Sequence, residues 1–387
     1  MKEELKIYLY RLWPVIVLVI GLPLLSFVIW LLIPAKSLDI LVIDKTVKDN
    51  SYREHAGLFW TLDHLKYRRS SGEAYSADQD YLGFFPNGKA DFGVVKDLTS
   101  RSDQEIGELV SRTNLIYLAD TYGVYEGNFE QTAKDEMSKK VYGGMNSSDL
   151  RLVKMAIEQG KNVVAEFNSI ASPTSPLIRT EFENLMGVKW TGWIGRYFDE
   201  LDTAINRDIP TWMIRQYQRQ HETWNLVGPG LIFIKESGEI EAFVYQKEYD
   251  NQVPLIRTQK MNKLGFHLPE VVPYPDWFDI MMIEREYEVI SYYDINPTAE
   301  GVQKLRSMGL PRFFPAAVVR KLGEGSQYYF SGDFSDMEGT FGAAHFFGLP
   351  VLWRGLYVAS DYTDRQSFYW NYYYPLISQV LEKVGEE

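Results

Sequence analysis

Four acidic residues each stand where a buried strand should end. Asp44 follows LDILVI, Asp120 follows LIYLA, Glu166 closes NVVAEF, and Asp333 comes just after QYYFSG. In an open α/β sheet, ligands bind beyond the carboxyl ends of the strands. Asp44, Asp120, Glu166 and Asp333 are therefore the candidate catalytic residues. Lys45, Tyr52, Arg53, His55, Tyr122, Asn168 and Asp336 fall at the same ends or at the start of the first helix, and they are the candidate ligand-binding residues. Carboxylates converging with a His and an Arg can do general acid–base work or hold a metal. The bland alternative is that an Asp ending a strand caps a turn and a neighbouring Arg makes a simple ion pair. A glycosidase needs its carboxyl pair about 5–5.5 Å apart to retain configuration, or about 6.5–9.5 Å apart to invert it. Clustering of these acids, with a strongly raised pKa among them, favours an enzyme over a binding module. A large apolar patch near the N-terminal helix or on residues 201–274 favours a scaffold for a membrane complex instead.

Several chemistries are excluded. With no Cys, the chain has no disulfide, thiol nucleophile or Cys-zinc site. No Walker loop, GxGxxG, HExxH or GxSxG occurs, so no cofactor is expected. The five His are scattered, and His55 and His64 lack the three- or four-residue spacing of co-facial helix ligands, so no metal is expected either. The chain carries 40 Lys and Arg against 52 Asp and Glu, a net charge of −12, which argues against nucleic acid as a partner. Aromatics make up 15 %, enough to stack on sugar rings, although most must serve core packing.

The elements that would position the acids follow from patterning. Leu38–Ile43, Leu115–Ala119 and Asn162–Phe167 are apolar runs of buried-strand type. Between them lie a helix opened by a Ser51–Glu54 capping box, one starting at Asp103, one capped by Ser147 or Ser148, and one with Pro176 at its first position. This alternation predicts an α/β domain with a doubly wound, mostly parallel sheet over residues 38–387. Val188–Phe198 predicts a bent strand, Pro210–Trp224 a helix, and Leu231–Lys235 with Ile240–Tyr245 a hairpin. Residues 201–274 form an elaboration on the main sheet, ending in an irregular proline-rich stretch over Leu268–Pro275. Phe278–Glu284, Val289–Tyr293, Ala316–Leu322 and Gln327–Phe330 are the later strands, with a helix capped at Asn296-Pro297. The last segment is helical, and Pro375 either kinks it or begins its regular part.

Ahead of this domain, a short tail (residues 1–12) leads into Trp13–Ile33, an uncharged apolar stretch. A helix of this length spans about 31 Å, the thickness of a hydrocarbon core. Trp13 and Trp30 sit where interfacial rings are favoured. The expectation is an uncleaved anchor in the lipid bilayer, with the soluble domain extracytoplasmic and the protein single-pass in the cell membrane. Its other expected partners are envelope proteins or a glycan.

The order LDILVID, then LIYLAD with a Gly-rich loop, then GKNVVAEFN and a late YYFSGDFSD, resembles the class I glutamine amidotransferase-like superfamily. The resemblance implies a flavodoxin-like, amidotransferase-like fold. Enzymatic members place a cysteine at the turn after the third strand and later a His-x-Glu pair. Here that turn reads Glu166-Phe167-Asn168-Ser169-Ile170, and no His has Glu two residues on. The resemblance therefore implies the fold without glutamine hydrolysis, its ancestral pocket either empty or reused. The leading expectation for function is a binding or assembly component at the cell envelope, in surface polysaccharide handling. The alternative is a carboxylate-dependent hydrolase or lyase acting on cell-surface glycans.

Overall fold

The computed structural model describes residues 10–15, 17–87, 93–129, 138–260, 262–337, 342–357 and 364–386. In chain order the strands are β1 (Ile40–Asp44), β2 (Tyr81–Phe85), β3 (Val94–Lys96), β4 (Leu115–Asp120), β5 (Asn162–Ala165), β6 (Val188–Phe198) and β7 (Gly230–Lys235). There follow β8 (Ile240–Val244), β9 (Leu255–Thr258), β10 (Val271–Pro273), β11 (Phe278–Ile283), β12 (Glu288–Asp294), β13 (Phe314–Leu322) and β14 (Gly325–Phe330). The principal helices are α1 (Leu22–Leu32), α2 (Arg53–His64), α3 (Asp103–Ser111), α4 (Ser147–Glu158), α5 (Pro176–Met186), α6 (Thr211–His221), α7 (Ala299–Ser307), α8 (Leu349–Leu356) and α9 (Tyr374–Glu386).

Ten strands form the main sheet in the order β10-β9-β12-β13-β14-β5-β4-β1-β2-β3. The alternation along β4 shows why it has two covered faces. Leu115, Tyr117 and Ala119 point into one core with α2 and α9, whereas Ile116 and Leu118 point into the other with α3, α4 and α5. The sheet is mixed, which corrects the expectation of a mostly parallel one. The run β2-β1-β4-β5-β14 is parallel, but β3 and the flank from β13 to β10 pair antiparallel. Tight connections such as the Gly323 turn between β13 and β14 can join only antiparallel neighbours, while parallel pairs need a helical crossover.

The segment 201–274 divides between two sheets. Its β7–β8 hairpin pairs antiparallel with β6, which also pairs with β11, giving a second sheet of four strands. Its later part, β9 and β10, extends the main sheet, so Val271–Pro273 of the proline-rich stretch is a short edge strand and the rest of that stretch is irregular chain, as expected. Pro273 is tolerated there because an edge strand leaves N–H positions unused. Two other local readings need small corrections: the cap of α4 is Asn146 and that of α7 is Thr298. Of the two roles expected for Pro375 the second holds, since it sits in the first turn of α9 behind a π-helical turn at Tyr369–Tyr373.

At the N-terminus a helix of membrane-spanning length runs over Tyr10–Leu32, and its apolar side chains project away from the fold. Its C-terminal part is held against the fold. The Trp30 indole donates to the His64 carbonyl at 2.9 Å, and Lys66 Nζ caps the carbonyls of Trp30, Leu31 and Ile33.

Candidate functional site

The first helix begins abruptly. Tyr52 adopts a left-handed backbone with φ 49°, and Ser51 turns back to Asp49 instead of capping the helix. The expected Ser51–Glu54 capping box is therefore absent, and Glu54 is released. Its carboxylate reaches the turn after β14, where one oxygen each of Glu54, Asp333 and Asp336 lie within 4.8 Å of one another. The two segments are laced together by main-chain contacts. Gly57 N–H donates to the Ser335 carbonyl at 3.1 Å, Ser335 Oγ donates to the Glu54 carbonyl at 2.7 Å, and Met337 N–H donates to the Arg53 carbonyl at 2.9 Å.

Two guanidinium groups hold these acids. Arg53 grips Asp336 with Nε at 2.6 Å and Nη2 at 2.5 Å, the forked geometry that suits a carboxylate. Arg365 comes from the C-terminal segment. Its Nε donates to the Asp336 carbonyl at 2.6 Å, its Nη2 donates to the Asp333 carbonyl, and it also pairs with Asp276. Burial, then the nearby charges of Asp336, Asp120 and Asp44, push the Glu54 carboxyl well up. Burial, then Asp336 and Glu54, do the same to Asp333. Burial lowers the Arg365 guanidinium to about 10. The result is a cluster in which two carboxyls are pushed up beside a third that two guanidinium groups hold.

Asp120 is a second centre. It accepts from Thr46 Oγ1 and the Tyr122 N–H, both at 2.5 Å, and from Asn168 Nδ2 at 3.0 Å. Burial and the adjacent Asp44 push its carboxyl up to about 7. Asn168 has φ 65°, a left-handed conformation that Asn adopts more readily than most residues. This is the turn where the amidotransferase resemblance calls for a cysteine.

Asp44, Glu166 and Lys45 are inward-facing. Asp44 contacts His55 Nδ1 at 2.5 Å while His55 Nε2 donates to the Ala77 carbonyl, so a proton lies between the two buried side chains. Glu166 accepts from the Tyr117 hydroxyl, from the Phe334 and Ser335 N–H groups and from Ser335 Oγ. Burial pushes its carboxyl up to about 8 against donors that favour the charged form. Lys45 is committed to Asp149 at 2.5 Å and to the Gly144 carbonyl. These three hold the strand ends in place. Tyr122 is 42 % exposed and packs on Tyr125 with ring centroids 5.0 Å apart, whereas Tyr52 lies over His55 and Tyr81.

Of the candidates, Arg53, Asp333 and Asp336 meet directly, and Asp120 with Asn168 stands beside them. Sequence reasoning missed Glu54 and Arg365. Glu54 carried the signature of a cap, and Arg365 reaches Asp336 from 29 residues away in a segment with no motif. The spacing of Glu54, Asp333 and Asp336 suits oxygen ligation of a hard cation, but Arg53 and Arg365 already place positive charge on Asp336. A surface groove of about 630 Å³, lined by Thr258, Phe266, His267, Glu270 and Arg354, opens elsewhere and takes in none of these residues.

The chain matches no protein-family model and no curated relative. Solved structures that it resembles include a β-galactosidase from Bacillus circulans sp. alkalophilus, at 11 % identity and a TM-score of 0.31, over 78 % of this chain and 30 % of that one. A ThuA-like protein from Parabacteroides merdae aligns at 12 % identity and a TM-score of 0.35, over 77 % of this chain and 79 % of that one. A cytoplasmic protein from Salmonella typhimurium LT2 aligns at 10 % identity and a TM-score of 0.36, over 90 % of this chain and 99 % of that one. The chain spans under a third of the β-galactosidase's length. At these identities and scores the likeness carries no argument.

Proposed function

We propose that this is a membrane-anchored, extracytoplasmic protein of an amidotransferase-like branch that handles a cell-surface glycan at the tips of its parallel strands. The reading rests on one observation: Glu54, Asp333 and Asp336 converge within 4.8 Å under two arginines, with Asp120 beside them. Of the two forms considered for such a protein, this clustering supports the carboxylate-dependent hydrolase or lyase. Burial and neighbouring carboxylates hold the Glu54 and Asp333 carboxyls well up, and Asp336 beside them is paired to Arg53, so a group that can give a proton stands next to one held by a cation. The exposed Tyr122–Tyr125 pair supplies a face on which a sugar ring can stack.

A second reading, a binding or assembly component, is favoured by the way Arg53 and Arg365 close over Asp336. The two are separated by assaying the full chain in membranes against purified surface polysaccharide. Reducing-end release and binding are measured separately for wild type, Glu54→Gln and Asp333→Asn. The catalytic reading expects turnover to fall on the order of a hundredfold or more in each variant with binding retained. Binding without any turnover in the wild type gives the site to the second reading. Unchanged turnover in both variants removes these acids from the chemistry.

A further inference from the structure

Phe346 and Phe347 lie directly against the N-terminal helix. Phe347 N–H donates to the Ser26 carbonyl at 3.2 Å, and its own carbonyl accepts from Ser26 Oγ at 2.7 Å. The rings of Phe346 and Phe27 meet at 5.9 Å, and His345 stacks on Trp30 at 4.5 Å. Ser26 is six residues inside the end of the helix at Leu32, which places this contact about 9 Å along the axis into the apolar span. A polar backbone at such a depth must find its partners within the protein, since lipid offers none. Both main-chain groups of Phe347 find theirs on Ser26.

Gly348, with φ 81°, then turns the chain into α8, Leu349–Leu356. On one side of this helix Trp353 packs against Trp370, with ring centroids 6.2 Å apart. On the other, Val351 is 74 %, Leu352 56 % and Leu356 65 % exposed, and Phe347 continues the same apolar surface. A run of large apolar side chains this open to solvent marks an interaction face. Its continuity with the exposed apolar flank of Tyr10–Leu32 identifies what covers it.

We infer that Phe347–Leu356 is a second membrane contact: a short amphipathic helix lying in the lipid interface beside the span, which docks the domain against the bilayer. The occupant is lipid, because the segment is fastened to the span at a depth where lipid surrounds it. The consequence is that the soluble domain is held at a fixed tilt and not on a swinging stalk. This inference rests on the span reading, and its test separates the two.

The absence of cysteine allows single-site labelling of the full chain. Val351→Cys, Leu352→Cys, Leu25→Cys and Ser237→Cys are each labelled with an environment-sensitive fluorophore. Each variant is reconstituted in nanodiscs of equimolar phosphatidylcholine and phosphatidylglycerol containing nitroxide-labelled lipid. Ser237, on the exposed β7–β8 turn, is the solvent control. Strong quenching at positions 25, 351 and 352, with none at 237, supports the inference. Quenching at 25 without quenching at 351 and 352 overturns it and leaves the span intact. Protection of 351 and 352 in native membranes but not in pure-lipid discs also overturns it, by assigning the face to a protein partner. No quenching at 25 overturns the span, and this inference with it.

Discussion

Gly57 donates its N–H to the Ser335 carbonyl at 3.1 Å, and a Cβ added to Gly57 would stand 2.9 Å from that same oxygen. Gly57 lies one turn along α2 from Glu54, and Ser335 lies two residues from Asp333. The absence of a side chain at Gly57 is therefore what lets Glu54 and Asp333 share a site. Gly57→Ala would push the turn outward against Tyr369, whose ring also stands 2.9 Å from the added carbon. The expected loss is about 1–3 kcal/mol, the usual result of overpacking a tight interior. Urea unfolding of the domain checks it. A stability equal to wild type, with unchanged turnover or binding, would mean that the turn moves freely and does not depend on this approach.

Arg365 is expected to be the most sensitive of the charged residues. It sits between Asp276, Asp333 and Asp336 and donates to two backbone carbonyls. Removing it in Arg365→Ala strands buried acids without a counter-charge, which in comparable settings costs about 3–5 kcal/mol. Arg365→Lys keeps the charge but cannot serve both carbonyls with a single ammonium, so it is expected to recover only part of the loss. Chemical denaturation of the three proteins decides the point. A deficit under about 1 kcal/mol in the alanine variant would class the contact with ordinary surface ion pairs.

Stability should decline as pH rises through neutrality. Burial holds Asp120 and Asp279 up to about 7 and Glu166 up to about 8, all above their unfolded values. Between those limits the folded chain keeps protons that the unfolded chain has shed, so the slope of unfolding free energy against pH is negative. The contribution is complete below about pH 4 and disappears once pH passes the folded values near 7–8. Asp49, Asp97 and Glu105, held below their usual range, act in the opposite sense at the acid end, so the optimum falls in mildly acidic solution. Urea midpoints should be higher near pH 5.5 than near pH 8.5. Asp279→Asn keeps an acceptor for the Tyr329 hydroxyl and should flatten the decline. A midpoint that rises over this interval contradicts the assigned protonation.

What was legible in the chain was what local pattern determines. LIYLAD alternates between two cores, so β4 could be read directly, and its neighbours β1 and β5 with it. Ser175-Pro176 and Gly187 delimit α5 as their backbone preferences require. Pairing between distant segments left no such mark. The edge strand β3 and the short β10 exist only because a neighbour supplies half of their hydrogen bonds. At the site, Asp333 and Asp336 were visible as a turn after a strand, but Glu54 looked like a cap because the left-handed Tyr52 that releases it has no sequence signature. Arg365 was hidden for the same reason that makes it useful: it reaches across the fold to acids far away in the chain. The apolar face of α8 escaped notice because eight residues are too few for a periodicity to register.

Asn168 stands at the turn where the amidotransferase resemblance calls for a cysteine, and it offers a direct test of that resemblance. Its left-handed backbone already has the sharp turn that presents a nucleophile, yet its amide is used to steady Asp120 at 3.0 Å. Asn168→Cys puts a thiol at that position beside Asp120, a carboxyl already engaged by Thr46 Oγ1 and the Tyr122 N–H, with no free imidazole among the described residues placed to activate it. His55, on the neighbouring helix, is consumed by Asp44 on one nitrogen and by the Ala77 carbonyl on the other. A nucleophile without an adjacent base does little at neutral pH. The variant is expected to be alkylated slowly by iodoacetamide and to release no ammonia from glutamine. It should also lose about 1 kcal/mol of stability for the missing hydrogen bond and the less suitable backbone preference. Ammonia release above the wild-type level would show that a second residue still works as the base, and the claim that Asn168 now serves only to position Asp120 would fail.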